Sequence, residues 1–271
     1  MNQNRALKRN KTSRRNFVLG TSATALSLAT LNQSSVFAAS SSALDLAEKK
    51  RPELIGLLDQ LVSIRSQTGE SAEVAQKLVS DYLNDLPYRI DQSKDRPSQY
   101  QNHPEYMPPN PPSDGPFVNI VGWPEQTNRS TCAIFSHIDT HVVEDGWITD
   151  PYEPILKNNR MYGLGTADDK GGVAAMLVAA KVLSEKGGPL PVVMSLHGKG
   201  GGSRGSLPIF ERIKNSNNNI KAVLYAHPAE TGRGLEDIKN AVLGLLDLEM
   251  KVEGWRGPQM EIGSIDSSAW N

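Results

Sequence analysis

The pattern of hydrophobic and polar positions divides the chain near residue 116. Before that point, residues 43–64 and 70–86 place apolar side chains at helical spacing, which predicts two amphipathic helices. Residues 92–116 are polar and rich in proline, which is typical of a long surface loop. The leucines that define the first helix are Leu44, Leu46, Leu54, Leu57, Leu58 and Leu61.

After residue 116, short apolar runs alternate with segments of helical period. Strands separated by helices of this length indicate an α/β fold with a largely parallel sheet flanked by helices. The predicted strands are 117–121, 132–135, 192–196, 222–225 and a longer one at 242–252, and the predicted helices are 172–186 and 207–214.

The first 39 residues have the three-part order of a secretory signal peptide. A basic start is followed by a mildly apolar stretch at 17–31 and by small residues at Ala38 and Ala39. The pair Arg14-Arg15 resembles the twin-arginine signal, which predicts export to the periplasm or beyond and removal of residues 1–39. The alternative is a basic arm that stays attached.

The charge balance changes once that segment is set apart. The chain of 271 residues is 38% hydrophobic and 22% charged, with a formal net charge of −1. Six of its 29 basic residues precede the first acidic residue, Asp45, so 23 basic residues face 30 acidic ones in the remainder, a net charge of about −7. An acidic body argues against nucleic acid, or a membrane after signal removal, as a partner. The lone Cys132 permits no internal disulfide.

Two segments carry candidate metal chemistry. His137 and Asp139 directly follow a predicted strand, and residues two apart in an extended segment project to the same side. A carboxylate beside a metal-binding histidine orients the imidazole and raises its basicity. Asp168 lies in a glycine-rich turn before a predicted helix, where the backbone can approach an ion closely. The alternatives are a hydrogen-bonded histidine at a strand end and a capped helix start.

The stretch SHIDTHVVEDGWITDPYEPILKNNRMYGLGTADDKGGVAAMLVAAKVL resembles the signature region of the zinc-dependent aminoacylase, acetylornithine deacetylase, succinyl-diaminopimelate desuccinylase and carboxypeptidase superfamily of metallopeptidases. The resemblance implies that His137 binds zinc, that Asp139 orients it and that Asp168 bridges two zinc ions. His227 stands where the family usually has an acidic ligand, and histidine is a competent zinc ligand. One or two zinc ions are expected, with cobalt or manganese possible. The implied substrates are N-acyl amino acids or short peptides with a free carboxylate.

The sequence departs from the family pattern after the strand at 192–196. The family presents two adjacent glutamates there, a general base and a metal ligand, whereas this chain has Lys199-Gly200. A normal lysine is already protonated and cannot serve as the base. Glu230 is a possible substitute, with a solvated loop acid as the alternative. The glycine-rich loop with Lys199 and Arg204 also suggests a cup that holds a substrate carboxylate through backbone N–H groups.

The resemblance predicts a C-terminally truncated family member with three segments. Residues 1–39 form the signal peptide, 40–240 a partial catalytic α/β domain, and 241–271 the start of a lid or dimerisation domain. The returning strands and a last histidine ligand of the family are not found, which makes a homodimer doubtful. Three interpretations remain open: an amide hydrolase of impaired activity, a non-catalytic exported metal- or carboxylate-binding remnant, and a gene fragment.

Overall fold

A computed structural model describes residues 42–125, 130–199, 202–216 and 218–228. The chain divides into two units, Met1–Asp237 and Ile238–Asn271, and every described residue lies in the first. The predicted signal peptide, the predicted strand at 242–252, Gly200 and Glu230 fall outside these ranges. Within them, no helix has the length and apolar character needed to span a membrane.

Within the described residues, the helices and strands follow each other in the order that the hydrophobic pattern predicts, apart from one extra strand and one extra hairpin described below. A helical segment at 42–49 leads into the first labelled helix. The helices are α1 (Arg51–Ser63), α2 (Gly69–Asn84), α3 (Lys170–Glu185) and α4 (Ser206–Lys214). The strands are β1 (Tyr88–Asp95), β2 (Phe117–Pro124), β3 (Cys132–His137), β4 (Ile155–Lys157), β5 (Arg160–Tyr162), β6 (Val192–Leu196) and β7 (Ala222–Tyr225).

Five strands form the central sheet, in the order β1-β2-β6-β3-β7. β3 pairs in parallel with both β6 and β7, whereas β2 pairs antiparallel with both β1 and β6. Four strands therefore run in one direction and only β2 opposes them. The predicted α/β fold with a largely parallel sheet and flanking helices is confirmed.

Two β segments were missed. β1 extends to Asp95, so the loop predicted for 92–116 was wrong over its first residues. β1 lies at the edge of the described sheet, where charged side chains are common because they protect the unpaired edge. β4 and β5 form a short hairpin around Asn158 and Asn159, whose φ angles are +53° and +58°. Positive φ at both turn residues is the geometry of a tight hairpin turn, and the Asn-Asn pair was its signal.

The sheet buries a different hydrophobic core on each face. Side chains of β6 alternate, so Val193 joins one core while Val192 and Met194 join the other. The first core lies under α1, α2 and α3, and the second lies under α4 through Ile209. Strand β2 is buried along its whole length, which suits a strand covered on both faces.

Candidate metal centre

The candidate residues come together at one edge of the sheet. β3, β6 and β7 are parallel neighbours, so their carboxyl ends meet at the same edge, the usual place for a site in such sheets. His137 is the last residue of β3, and His227 lies just beyond the end of β7. Asp168 precedes Asp169, the residue at the N-cap of α3. Residues far apart in sequence are thereby neighbours.

His137, Asp168 and His227 converge on a single point. The Oδ1 atom of Asp168 lies 2.9 Å from Nε2 of His137 and 3.2 Å from Nε2 of His227. One ligand atom from each of the three residues lies within 4.8 Å of the others. Ligands about 2.1 Å from a tetrahedral zinc ion are separated by about 3.4 Å. Two imidazoles and a carboxylate at this spacing fit zinc with small side-chain movements.

Asp139 orients the ring of His137. Nδ1 of His137 lies 3.1 Å from the backbone oxygen of Asp139 and 3.4 Å from its Oδ1 atom, so Nε2 is directed at Asp168. Gly198 packs closely against another side of the ring: a Cβ atom added there would lie 2.7 Å from His137 Cβ and Cγ. The ring is therefore held by contacts on two sides before any ion binds.

The carboxylate of Asp139 also anchors the turn after β6. Its two oxygens accept hydrogen bonds from the backbone N–H groups of Gly198, at 2.7 Å, and Lys199, at 2.8 Å. Asn119 accepts a bond from the backbone N–H of His197 at 3.1 Å. This turn brings the Lys199 ammonium onto Oδ2 of Asp168.

The side chain of Arg204 is directed into the turn after β6. Its guanidinium is largely buried and donates to the backbone oxygens of Lys199, at 3.2 Å, and Pro111. It also lies over the ring of Phe117, 5.2 Å from the ring centre. These side-chain contacts hold the turn together. The suggested cup of backbone N–H groups includes Gly200 and Gly201, which lie outside the described residues, so it stays a prediction.

The charged side chains at this edge of the sheet shift each other's pKa values. Burial alone lowers the pKa of His137, but hydrogen bonds to Asp139 and Asp168 outweigh it and raise that pKa to about 9. The hydrogen bond from His137, followed by that from Lys199, holds the pKa of Asp168 well below its ordinary range. An ion bound at Nε2 of His137 would displace the proton, so metal binding would be coupled to proton release.

Three buried polar residues at this edge were missed. His197 directly follows β6, and its ring contacts Phe117 edge-on, with 5.0 Å between the ring centres. Asp169 accepts a 2.6 Å hydrogen bond from Ser136, and burial raises its pKa to about 6. Lys170 is fully buried, donates to the backbone oxygen of Ile64 at 2.6 Å, and has a pKa lowered by burial to about 8. The run Asp168-Asp169-Lys170 was a signal that more than one charged side chain is buried here.

A large open cavity lies elsewhere on the described structure and shares no residue with the metal centre. It has a volume of about 1660 Å³ and is lined by residues of β1 and α4, among others. Its lining includes two ion pairs, Arg212 with Asp91 at 3.2 Å and His103 with Glu211 at 3.4 Å. Size alone does not mark it as a site of chemistry, since no set of three potential metal ligands converges there among the described residues.

Comparison with known proteins finds similarity to one family of peptidases. Residues 133–265, close to half of the chain, match Peptidase family M20/M25/M40. A succinyl-diaminopimelate desuccinylase of Zymomonas mobilis is 24% identical over 211 residues, which are 76% of this chain and 50% of that protein. The N-formyl-4-amino-5-aminomethyl-2-methylpyrimidine deformylase of Bacillus subtilis is 29% identical over 175 residues, 61% of this chain and 37% of that protein. The chain thus spans half or less of the length of these relatives.

Solved structures share the fold. Human carnosine dipeptidase 1 superposes with a TM-score of 0.53 at 18% identity, over 68% of this chain and 40% of that one. The dipeptidase Dug1p of Saccharomyces cerevisiae superposes with a TM-score of 0.51 at 19% identity, with the same coverage. The family match, the relatives and the shared fold agree with the signature around His137 and Asp168. Together these similarities support assignment to the metallopeptidase and aminoacylase superfamily that includes the M20 peptidases.

Proposed function

We propose that this chain carries the zinc centre of an amide hydrolase of the class that acts on N-acyl amino acids or short peptides, with activity so impaired that its rate does not exceed that of a variant lacking a zinc ligand. The observation that carries the proposal is the convergence of His137, Asp168 and His227 within 4.8 Å. These three residues would hold the ion. Bound zinc would act as the Lewis acid that polarises the scissile carbonyl. Cobalt and manganese accept similar nitrogen and oxygen ligands and are reasonable substitutes.

The substrate class is supported by the relatives. Their names describe removal of a succinyl or a formyl group, and the two structural neighbours are named as dipeptidases. Cleavage of an amide bond is common to these activities. Because this chain is similar to only part of each protein, the individual acyl group does not carry over, and fold similarity alone cannot choose it.

The low rate follows from the engagement of the nearby carboxylates. Asp139 accepts two backbone hydrogen bonds and orients His137, while Asp168 faces both histidines and Lys199. Asp169 is buried and bonded to Ser136. The Oδ1 atom of Asp169 has no hydrogen-bond partner, but the residue is fully buried, so none of these three carboxylates is placed to take a proton from an attacking water. A general base typically contributes about 100- to 10,000-fold to such a reaction.

Hydrolysis of a panel of N-acetyl and N-succinyl amino acids, with zinc, cobalt or manganese added, tests this proposal. The rate with the unmodified chain should match that of His137→Ala, while only the unmodified chain should bind zinc tightly. A zinc-dependent rate that His137→Ala abolishes would contradict the impairment and direct attention to Glu230 or a partner subunit as the source of the base. Absence of zinc binding would contradict the proposed function itself.

A second candidate is an exported, non-catalytic metal-binding protein, favoured by the position of Lys199 against Asp168. The double change Lys199→Glu with Gly200→Glu separates the two candidates. A rate that appears on this change, and that also requires His137, would identify a hydrolase scaffold. If no rate appears while zinc binding is strong, the binding role is favoured.

A further inference from the structure

The two carboxylate oxygens of Asp168 face different partners. Oδ1 lies 2.9 Å from Nε2 of His137 and 3.2 Å from Nε2 of His227, whereas Oδ2 contacts the ammonium of Lys199. An aspartate that bridges two metal ions commonly offers one oxygen to each. Here the positively charged ammonium of Lys199 already contacts the second oxygen.

Lys199 is held in this position by its backbone as well as by its side chain. Its N–H donates to Oδ2 of Asp139 at 2.8 Å, and its carbonyl accepts from Nη1 of Arg204 at 3.2 Å. The side chain is only 19% exposed. The lysine is therefore part of the packed turn after β6, and its ammonium has little freedom to leave Asp168 for solvent.

A second divalent ion at Oδ2 would meet both a charge and a shortage of ligands. The Lys199 ammonium would lie next to it, and like charges at contact distance repel strongly in a partly buried site. Within the described parts of the chain, the His137, Asp168 and His227 set is the one group of three ligands that converges. No described second set completes a site on the Lys199 side.

We propose that the Lys199 ammonium takes the place of a second metal ion at Asp168, so that this centre binds one divalent ion, between His137, Asp168 and His227. This inference rests on the proposed zinc centre and decides its stoichiometry. It also assigns Lys199 a role: the residue balances the carboxylate charge that a second ion would otherwise neutralise.

Zinc titration of the full chain by calorimetry, with metal content measured after desalting, tests the inference without relying on activity. The unmodified chain should retain one zinc ion. Lys199→Arg keeps the positive charge and should also retain one. Lys199→Met removes the charge and should bind the first ion about tenfold more tightly, because repulsion of the ion is relieved. Lys199→Glu adds a carboxylate and should take up a second ion.

Lys186→Glu is the matched control, since Lys186 is exposed beyond the end of α3 and the same charge reversal there should leave the stoichiometry at one. Circular dichroism of each variant shows whether it is folded. Two ions in the unmodified chain, or one ion of unchanged affinity in all Lys199 variants, would overturn the inference while the zinc centre stands. No zinc in any folded protein would instead overturn the proposed function.

Discussion

Oδ2 of Asp139 accepts a hydrogen bond from the backbone N–H of Lys199 at 2.8 Å. This one bond joins the end of β3, which carries His137, to the turn after β6, which carries the lysine. The same carboxylate orients the His137 ring, so the ligand and the neighbouring positive charge are positioned by a common group. A substitution at Asp139 should therefore alter both the orientation of the His137 ring and the position of Lys199.

Replacing Asp139 with Asn should weaken zinc binding by about 10- to 100-fold, the usual effect of losing an outer partner of a metal-binding histidine. An amide keeps the shape but offers one acceptor oxygen in place of two, so it can satisfy only one of the two backbone N–H donors. Zinc titration measures the affinity. An unchanged affinity with an intact fold would show that the backbone oxygen at 3.1 Å is sufficient to orient His137.

Replacing His227 with Ala should weaken zinc binding by more than the loss at Asp139, because it removes a direct ligand. His103→Ala is the matched control, since His103 lies away from the centre and pairs with Glu211 at 3.4 Å. Metal content after desalting should fall for His227→Ala and stay unchanged for His103→Ala. Equal retention by both variants would remove His227 from the ligand set.

Replacing Gly198 with Ala should displace the His137 ring. The added Cβ would lie 2.7 Å from His137 Cβ and Cγ, so a shift is required, and overpacking of this kind costs about 1–3 kcal/mol. Zinc affinity should fall together with the free energy of unfolding. Gly56→Ala in α1 is the control, because nothing lies within 4 Å of its added methyl and helical alanine is favoured by about 0.5–1 kcal/mol.

A pH-dependent contribution to stability should come from Glu53, which joins three helices. It accepts hydrogen bonds from Lys181 at 2.6 Å and from Tyr82 at 2.9 Å. Partial burial raises the pKa of Glu53, but these two hydrogen bonds outweigh it and the net pKa is lowered. Because the folded-state pKa is the lower one, the stabilisation is present above the unfolded-state pKa, about 4.3, and is lost as the pH falls through the folded-state value.

Urea unfolding of Glu53→Gln measures this contribution. The variant should be less stable than the unmodified chain by about 1 kcal/mol at pH 7, and the difference should shrink as the pH falls below the unfolded-state pKa of about 4.3. Asp59→Asn is the control, an exposed acid on the same helix, and should change little at either pH. A difference that stays constant with pH would assign the effect to packing.

Export is a separate proposal and rests on the N-terminal residues alone. Changing Arg14 and Arg15 to lysine should leave unprocessed precursor in the cytoplasm, because the signal depends on the arginine pair. Changing Arg5 and Arg9 to lysine should leave processing unchanged. Fractionation with immunoblotting distinguishes precursor from a product shortened by about 39 residues, as the signal peptide predicts. Normal processing of the Arg14, Arg15 variant would contradict the twin-arginine assignment.

Local pattern was sufficient to predict α1 to α4 and four strands of the central sheet, since each has an apolar period of its own. The pairing of His137 with Asp139 was also readable, because alternation along a strand fixes which side chains share a side. The strand β1 and the hairpin β4–β5 were not predicted, because their stability comes from pairing with a neighbour more than from their composition.

Tertiary structure decided which charged groups meet. Sequence alone named His137, Asp168 and His227 as candidates, but only the parallel order of β3, β6 and β7 brings them within 4.8 Å. It also placed the Lys199 ammonium against the Asp168 carboxylate and the Arg204 guanidinium against the backbone oxygen of Lys199. Contacts of this kind depend on how strand ends and turns are arranged in space, and the spacing of residues along a chain does not determine that arrangement.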